Sequence, residues 1–324
     1  MASFTTFVRE QHKKLPLIPT TQDCTGGTYI ITGSNQGLGY ECAKHLIALS
    51  ANKVIIAVRF LSRGDAAKAK IEAETGRKGV IEVWHLDLSS YDSVKEFVKK
   101  VETLDRVDAI IENAGIAMAE SIIAEGLEST LTVNVVSTML LAVLVLPKLQ
   151  ESARKFGIVP HLVLVGSEVA FQAKGELEKI DGDLIDGVSQ SPMPGKRYEI
   201  SKLLLLYAMR EFASLHPYRE TGVAINYVNP GLCNTELSRN AGWVQWLIIA
   251  IVRTLLARSA EVGSRNLLYA AVAGKYSNGK YISACEVKED HVASWATNVV
   301  GRRIQQRVWE SLRKKLNTIY SGCV

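Results

Sequence analysis

Six short apolar runs alternate with longer stretches of helical spacing, and this alternation restricts the architecture more than any other feature. The runs at 28–32, 54–58, 80–86, 107–111, 161–165 and 223–228 are short and predominantly apolar. A strand that is apolar on both sides of its pleat has to be covered on both faces. The stretches at 40–49, 64–74, 90–101, 126–150 and 198–215 carry apolar residues at helical spacing, with Ser90 placed to cap the third. Such repetition predicts parallel pairing through crossover helices: one α/β domain, a doubly wound parallel sheet in a three-layer αβα sandwich. The polar segment 176–194, with its Gly, Pro and Asp residues, reads as a surface loop.

Composition narrows the function classes. With 47% hydrophobic and 22% charged residues over 324 positions, the chain is expected to be soluble and to bury a large core. A net charge of +5 is modest and scattered. Arg302-Arg303 and Arg313-Lys314-Lys315 fall in an amphipathic C-terminal helical tail, 291–324, and read as a solvated face, so no nucleic-acid partner is expected. Cys24, Cys42, Cys233, Cys285 and Cys323 are odd in number and form no C-x-x-C pair, which suits reduced thiols in the cytoplasm. Neither they nor the six histidines have metal-site spacing, so no metal is expected. Residues 1–20 lack the continuous apolar core of a signal peptide and carry Arg9, Glu10, Lys13 and Lys14; 1–24 is expected to be an arm.

The first run leads into Thr32-Gly33-Ser34-Asn35-Gln36-Gly37-Leu38-Gly39. Glycines between a strand and a helix allow a sharp turn, close approach to a pyrophosphate and tight helix packing, and the helix N-terminus offers N–H groups to the phosphate. The spacing is G-x-x-x-G-x-G instead of the commoner G-x-G-x-x-G. Arg59, twenty positions beyond Gly39, ends the second run where an acid would bind the ribose of NAD; an arginine suits the 2′-phosphate of NADP, with Arg63 placed to assist. Further on, Tyr198 and Lys202 stand four residues apart in R-Y-E-I-S-K. On a helix they share one face, and an ammonium beside a phenol is expected to draw the tyrosine pKa down, towards proton exchange with an alcohol or carbonyl oxygen.

Together these segments resemble the short-chain dehydrogenase/reductase family, from about residue 27 to 235 and weakly to 287. Thr32 to Gly39 is similar to its T-G-x-x-x-G-x-G turn, and Asp87-Leu88 to its adenine-contacting pair. Asn113-Ala114-Gly115 is similar to most of its N-N-A-G, with Glu112 in place of the first Asn. Asn134 in T-V-N-V stands for its helix asparagine, Ser167 for its catalytic serine, and Asn229-Pro230-Gly231 with Thr235 for its nicotinamide loop. Gly166 occupies a position where many members have a second serine. Two further segments, V-I-I-A-V-R and R-S-A-E-V-G-S-R, look like the retinol-dehydrogenase-like branch and its fungal relatives.

The resemblance implies a Rossmann-like fold and hydride transfer between NADP(H) and a carbonyl or carbinol carbon. In that scheme Tyr198 moves the proton and Ser167 bonds the reacting oxygen. Lys202 tunes Tyr198 and bonds the ribose, while Asn134 holds a proton-carrying water. Thr235 and the Leu232 backbone, beside Pro230 and Gly231, fix the nicotinamide carboxamide.

Substrate contacts are expected from 116–123, 168–174 and the chain after Thr235. Segment 243–257 is the most hydrophobic in the chain and is interrupted by Gln245 and Arg253. It reads as part of a substrate lid at about 236–260, with an interfacial membrane anchor, a subunit contact or plain core packing as alternatives. The expected substrate is an apolar carbonyl or alcohol: a polyketide, terpenoid, steroid, retinoid or fatty aldehyde. A non-catalytic dinucleotide sensor and a sugar-nucleotide epimerase or dehydratase are the competing classes. The expected assembly is a monomer or homodimer.

Overall fold

The computed structural model describes residues 4–118, 120–192, 195–234 and 256–324. Among these, the apolar runs become β1 (Thr28–Thr32), β2 (Lys53–Val58), β3 (Ile81–His85), β4 (Ala109–Glu112), β5 (His161–Val165) and β6 (Ala224–Asn229). Two strands of the main sheet went unread in the sequence: β7 (Tyr281–Ser283) and β8 (Glu286–Val287) are too short to show a period. The eight-stranded sheet has the order β8-β7-β6-β5-β4-β1-β2-β3, parallel throughout except for the β7–β8 return. The order reverses between β1 and β4, where Ile31 lies beside Ile111. A doubly wound sheet opens a ligand crevice beyond the carboxyl ends of its strands at that reversal.

Alternation along each strand divides the core. Tyr29, Ile31, Val54, Ile56, Ile111, Val163 and Val228 meet α1 (Gly37–Ala48), α2 (Leu61–Thr75) and α6 (Ala260–Ala270) on one face. Ile30, Ile55, Ile110, Leu162, Leu164 and Tyr227 meet α3 (Tyr91–Glu102), α4 (Thr138–Phe156) and α5 (Arg197–Leu215) on the other. Burial of one such large side chain is worth about 1.5–3 kcal/mol, so a one-residue slip in any central strand would forfeit most of its contribution. Ser90 caps α3 as its position predicts, its Oγ accepting the Ser93 N–H at 3.3 Å.

Three expectations change. The stretch 126–150 is not one helix: Leu127–Glu128 pairs with Ile123–Ala124, and a π-type turn, Thr132–Ser137, precedes α4. Apolar spacing does not register a single extra residue per turn, so such a bulge is invisible to it. Helix α2 begins three residues early, because Gly64 lets it close on the sheet; a Cβ there would lie 2.4 Å from Val83. Within 176–192 a short helix, Leu184–Gln190, forms where a loop was expected. Asp183 accepts the Ile185 and Asp186 N–H groups at its start, and Leu184, Ile185 and Val188 are buried beneath it.

The C-terminal α7 (Val299–Ile319) packs on α5 and buries Ile304, Val308, Trp309, Leu312 and Leu316 in the same core. Segment 129–156 has the length and hydropathy of a membrane span, but its most apolar window is 94% buried inside the fold.

Candidate active site

The turn after β1 is built to be approached closely. Gly33 and Gly37 have positive φ, +66° and +61°, a region that favours glycine. A Cβ on Gly33 would stand 2.9 Å from the Ala114 Cα, and one on Gly39 would stand 2.7 Å from Asn113 Nδ2. Asn113 Nδ2 donates to the carbonyls of Thr32 (2.9 Å) and Gly33 (3.2 Å), and the Ala114 N–H donates to Thr32 Oγ1 (2.9 Å). Ser34 turns its hydroxyl inward to the Ile31 carbonyl. Asn35 and Gln36 then lead into the N-terminus of α1, where Gln36 makes no side-chain cap and Leu38 follows in the first turn. Thus 113–115 buttresses the glycine turn at the sheet reversal, and the cradle fits a pyrophosphate.

At the end of β2, Arg59 and Arg63 are exposed and share one aromatic ring, their guanidinium carbons 4.6 and 5.2 Å from the centroid of Phe60. Two cations stacked on one exposed ring concentrate positive charge at that strand end. Asp87 is fixed after β3 by Ser89, whose N–H and hydroxyl both donate to Oδ1, and Leu88 is buried beside it.

The remaining groups converge at the carboxyl end of β5. Lys202 is buried on α5, and its Nζ donates to the Val165 carbonyl at 2.9 Å and lies 5.6 Å from the centre of the Tyr198 ring. Burial pulls its pKa down to about 8. Asn134, in the π-type turn, accepts the Ile116 N–H (2.9 Å) and donates to the Ile116 carbonyl (2.8 Å) and Ser201 Oγ (3.1 Å). Gly115 fits between: a Cβ there would be 3.1 Å from Asn134 Oδ1 and 3.7 Å from Lys202 Nζ. Ser167 starts a 3-10 turn after β5, its Oγ taking the Val169 N–H at 3.4 Å.

Tyr198 corrects the electrostatic expectation. Although the residue keeps some solvent contact, burial of its phenol pushes the pKa up, with the Glu199 charge adding to the rise. The neighbouring Lys202 ammonium, 5.6 Å from the centre of the ring, does not reverse this. The protein alone therefore holds Tyr198 as a neutral phenol.

The family model for short chain dehydrogenases matches residues 28–176. A short chain dehydrogenase/reductase of Cryptosporiopsis sp., dmxR8, is 44% identical over 318 residues, covering 96% of each chain. The chain belongs to the short-chain dehydrogenase family. Solved structures agree on the fold. A short chain dehydrogenase from Escherichia coli complexed with NADPH covers 82% of this chain and 99% of its own, with a TM-score of 0.58 at 20% identity. An NADH-dependent reductase complexed with NAD covers 85% of this chain and 100% of its own, with a TM-score of 0.60 at 18% identity.

Two departures from the family pattern gain physical content. Glu112, at the end of β4, is 2% exposed, and neither carboxyl oxygen has a hydrogen-bond partner among the described residues. Burial raises its pKa well above the usual carboxylate range, so the side chain is a neutral acid. Gly166 is the space that Tyr227 fills: a Cβ there would lie 1.7 Å from the Tyr227 Cζ. The Tyr227 hydroxyl accepts the Ser167 N–H at 2.9 Å and shares its proton between the carbonyls of Ser167 (3.1 Å) and Lys202 (3.2 Å). One phenol thus ties the strand end bearing Ser167 to the helix bearing Lys202. Sequence reasoning missed Tyr227, and the signal was the glycine beside the serine.

In the 229–234 loop of this short-chain dehydrogenase, Asn229 accepts the N–H groups of Glu168 (3.3 Å) and Gly231 (3.1 Å). The Pro230 carbonyl accepts from Asn266 (3.3 Å), and Gly231 has φ +79°. Both backbone groups of Leu232 are paired with Gln11, so a carboxamide at this residue would share or replace those bonds. Thr235 lies outside the described residues, as does all of 243–257 except Leu256 and Ala257. Among the described residues no group of three metal-binding side chains occurs.

Proposed function

We propose that this short-chain dehydrogenase interconverts a carbonyl and an alcohol on an apolar small molecule of polyketide, terpenoid, steroid or retinoid type, using NADP(H). The observation that carries the reading is the cluster of Lys202 Nζ, Asn134, Tyr198 and Ser167 at one strand end, across the sheet reversal from the glycine turn. Gly33, Gly37, Gly39, Asn113–Gly115 and the 230–235 loop would hold the dinucleotide, whose nicotinamide would supply the hydride. In the reductive direction Tyr198, neutral in its buried setting, gives its proton to the carbonyl oxygen. The Ser167 hydroxyl donates to that oxygen and lowers the charge developing on it. Lys202, charged below about pH 8, returns a proton to the phenolate left on Tyr198 and takes one from solvent by way of Asn134.

Tyr198→Phe tests the reading: NADPH still binds, and carbonyl reduction falls by at least about 10²-fold, the lower range of positioned acid catalysis. Near-normal turnover would remove the assignment. The preference for NADP(H) over NAD(H) is supported by the Arg59–Phe60–Arg63 stack. Accordingly, Arg59→Asp is expected to weaken NADPH by about tenfold or more, the scale of a charge-assisted contact, with little effect on NADH. Titration of each coenzyme measures this, and equal losses would contradict it.

A further inference from the structure

The hydride-transfer reading leaves the contacts of the N-terminal arm unused. Gln11 is buried, and both ends of its carboxamide bond the backbone that flanks 233–255. Its Nε2 donates to the carbonyls of Leu232 (2.9 Å) and Leu256 (3.1 Å), and its Oε1 accepts the Leu232 N–H (3.2 Å). Arg258, buried as deeply, donates to the carbonyls of Gln11 (3.3 Å), Pro230 (3.4 Å) and Glu10. Its own N–H donates to the Leu232 carbonyl and its carbonyl accepts the Asn234 N–H, both at 2.9 Å. Gly231 leaves the room required: a Cβ there would stand 2.6 Å from Gln11 Oε1 and 2.9 Å from Arg258 Nη1.

Burying two long polar side chains costs solvation and rotamer entropy, offset only where their hydrogen bonds are made. Here those bonds are concentrated on one loop. We infer that the N-terminal arm is a clasp behind the nicotinamide side of the site, with Gln11 and Arg258 as positioning residues that fix the turn from Pro230 to Leu232. This rests on the proposal that the turn meets the nicotinamide. Positioning matters there because a displacement of about 1 Å at a reacting centre costs orders of magnitude in rate.

Two ligands separate a clasp from general support of the fold. NADPH spans the whole site, whereas adenosine 2′,5′-bisphosphate carries the adenine and 2′-phosphate but no nicotinamide. In Gln11→Met, NADPH is expected to bind about tenfold more weakly, equivalent to 1.4 kcal/mol, with bound-nicotinamide fluorescence reduced and the bisphosphate unchanged. Gln11→Glu keeps the size and the acceptor but loses donation to Leu232 and Leu256, and should behave alike. In the unmodified protein, NADPH should slow hydrogen exchange at residues 10–15, and the bisphosphate should not. Parallel changes for the two ligands, or none, would overturn the clasp while leaving coenzyme binding intact. Failure of the unmodified protein to bind either NADPH or NADH would remove the functional proposal, and the clasp with it.

Discussion

A carboxyl group with no hydrogen-bond partner among the described residues, held at the end of a central strand, makes folding stability depend on pH in a defined direction. Glu112 binds its proton more tightly folded than unfolded. Above the ordinary carboxylate range the unfolded chain therefore binds fewer protons, and stability falls as pH rises until the folded group ionises. Glu112→Gln removes the titration while keeping the shape. The stability of the variant relative to the unmodified protein should rise with pH above about 5, by about 1.4 kcal/mol per unit. Urea melts between pH 4.5 and 8 measure it, and a constant difference would contradict it. The departure of Glu112 from the family pattern was legible in the sequence; its neutrality was not, because burial comes from the strands and helices around it. For the same reason the pair Tyr198/Lys202 was legible as a constellation, but the sign of the Tyr198 shift was not.

Between elements, the most constrained contact joins β5, β6 and α5 through Tyr227. Gly166→Ala would drive a methyl group into the ring and should cost about 3 kcal/mol, the upper range for overpacking. In a Tyr227→Leu background most of that cost should vanish, and a double-mutant cycle by urea melts tests the coupling. Equal costs in both backgrounds would show that the ring is not the obstacle. Strands β1 to β6 were readable because burial on both faces leaves apolar runs. Strands β7 and β8 were not, since two or three residues carry no pattern and hold their place through β6 and the chain reversal. The π-type turn at Asn134 escaped for a related reason: its extra residue aims one side chain and leaves the composition unchanged.

For the molecule as a whole, α7 completes the core around α5. Trp309 lies 5.7 Å from Phe212, and Ser311 Oγ accepts the Leu184 N–H at 2.9 Å. Removing 299–324 would delete the five large apolar side chains of α7 that are buried in the core, each worth about 1.5–3 kcal/mol, and uncover the face of α5 they pack on, a loss comparable to the total stability of a domain. The truncated chain should lose its cooperative thermal transition by circular dichroism; retention of a native-like melt would contradict this.

The arm adds an ordering in time. Gln11 meets Leu232, 221 positions further on, and Leu256, 245 positions further on, and Lys13 pairs with Glu286 at a separation of 273. At roughly 5–20 residues per second, the ribosome delivers these partners on the order of ten seconds or more after the arm has emerged. The arm is thus among the last segments to dock, and a chain still in synthesis has made its glycine turn well before the turn from Pro230 to Leu232 can be closed from behind.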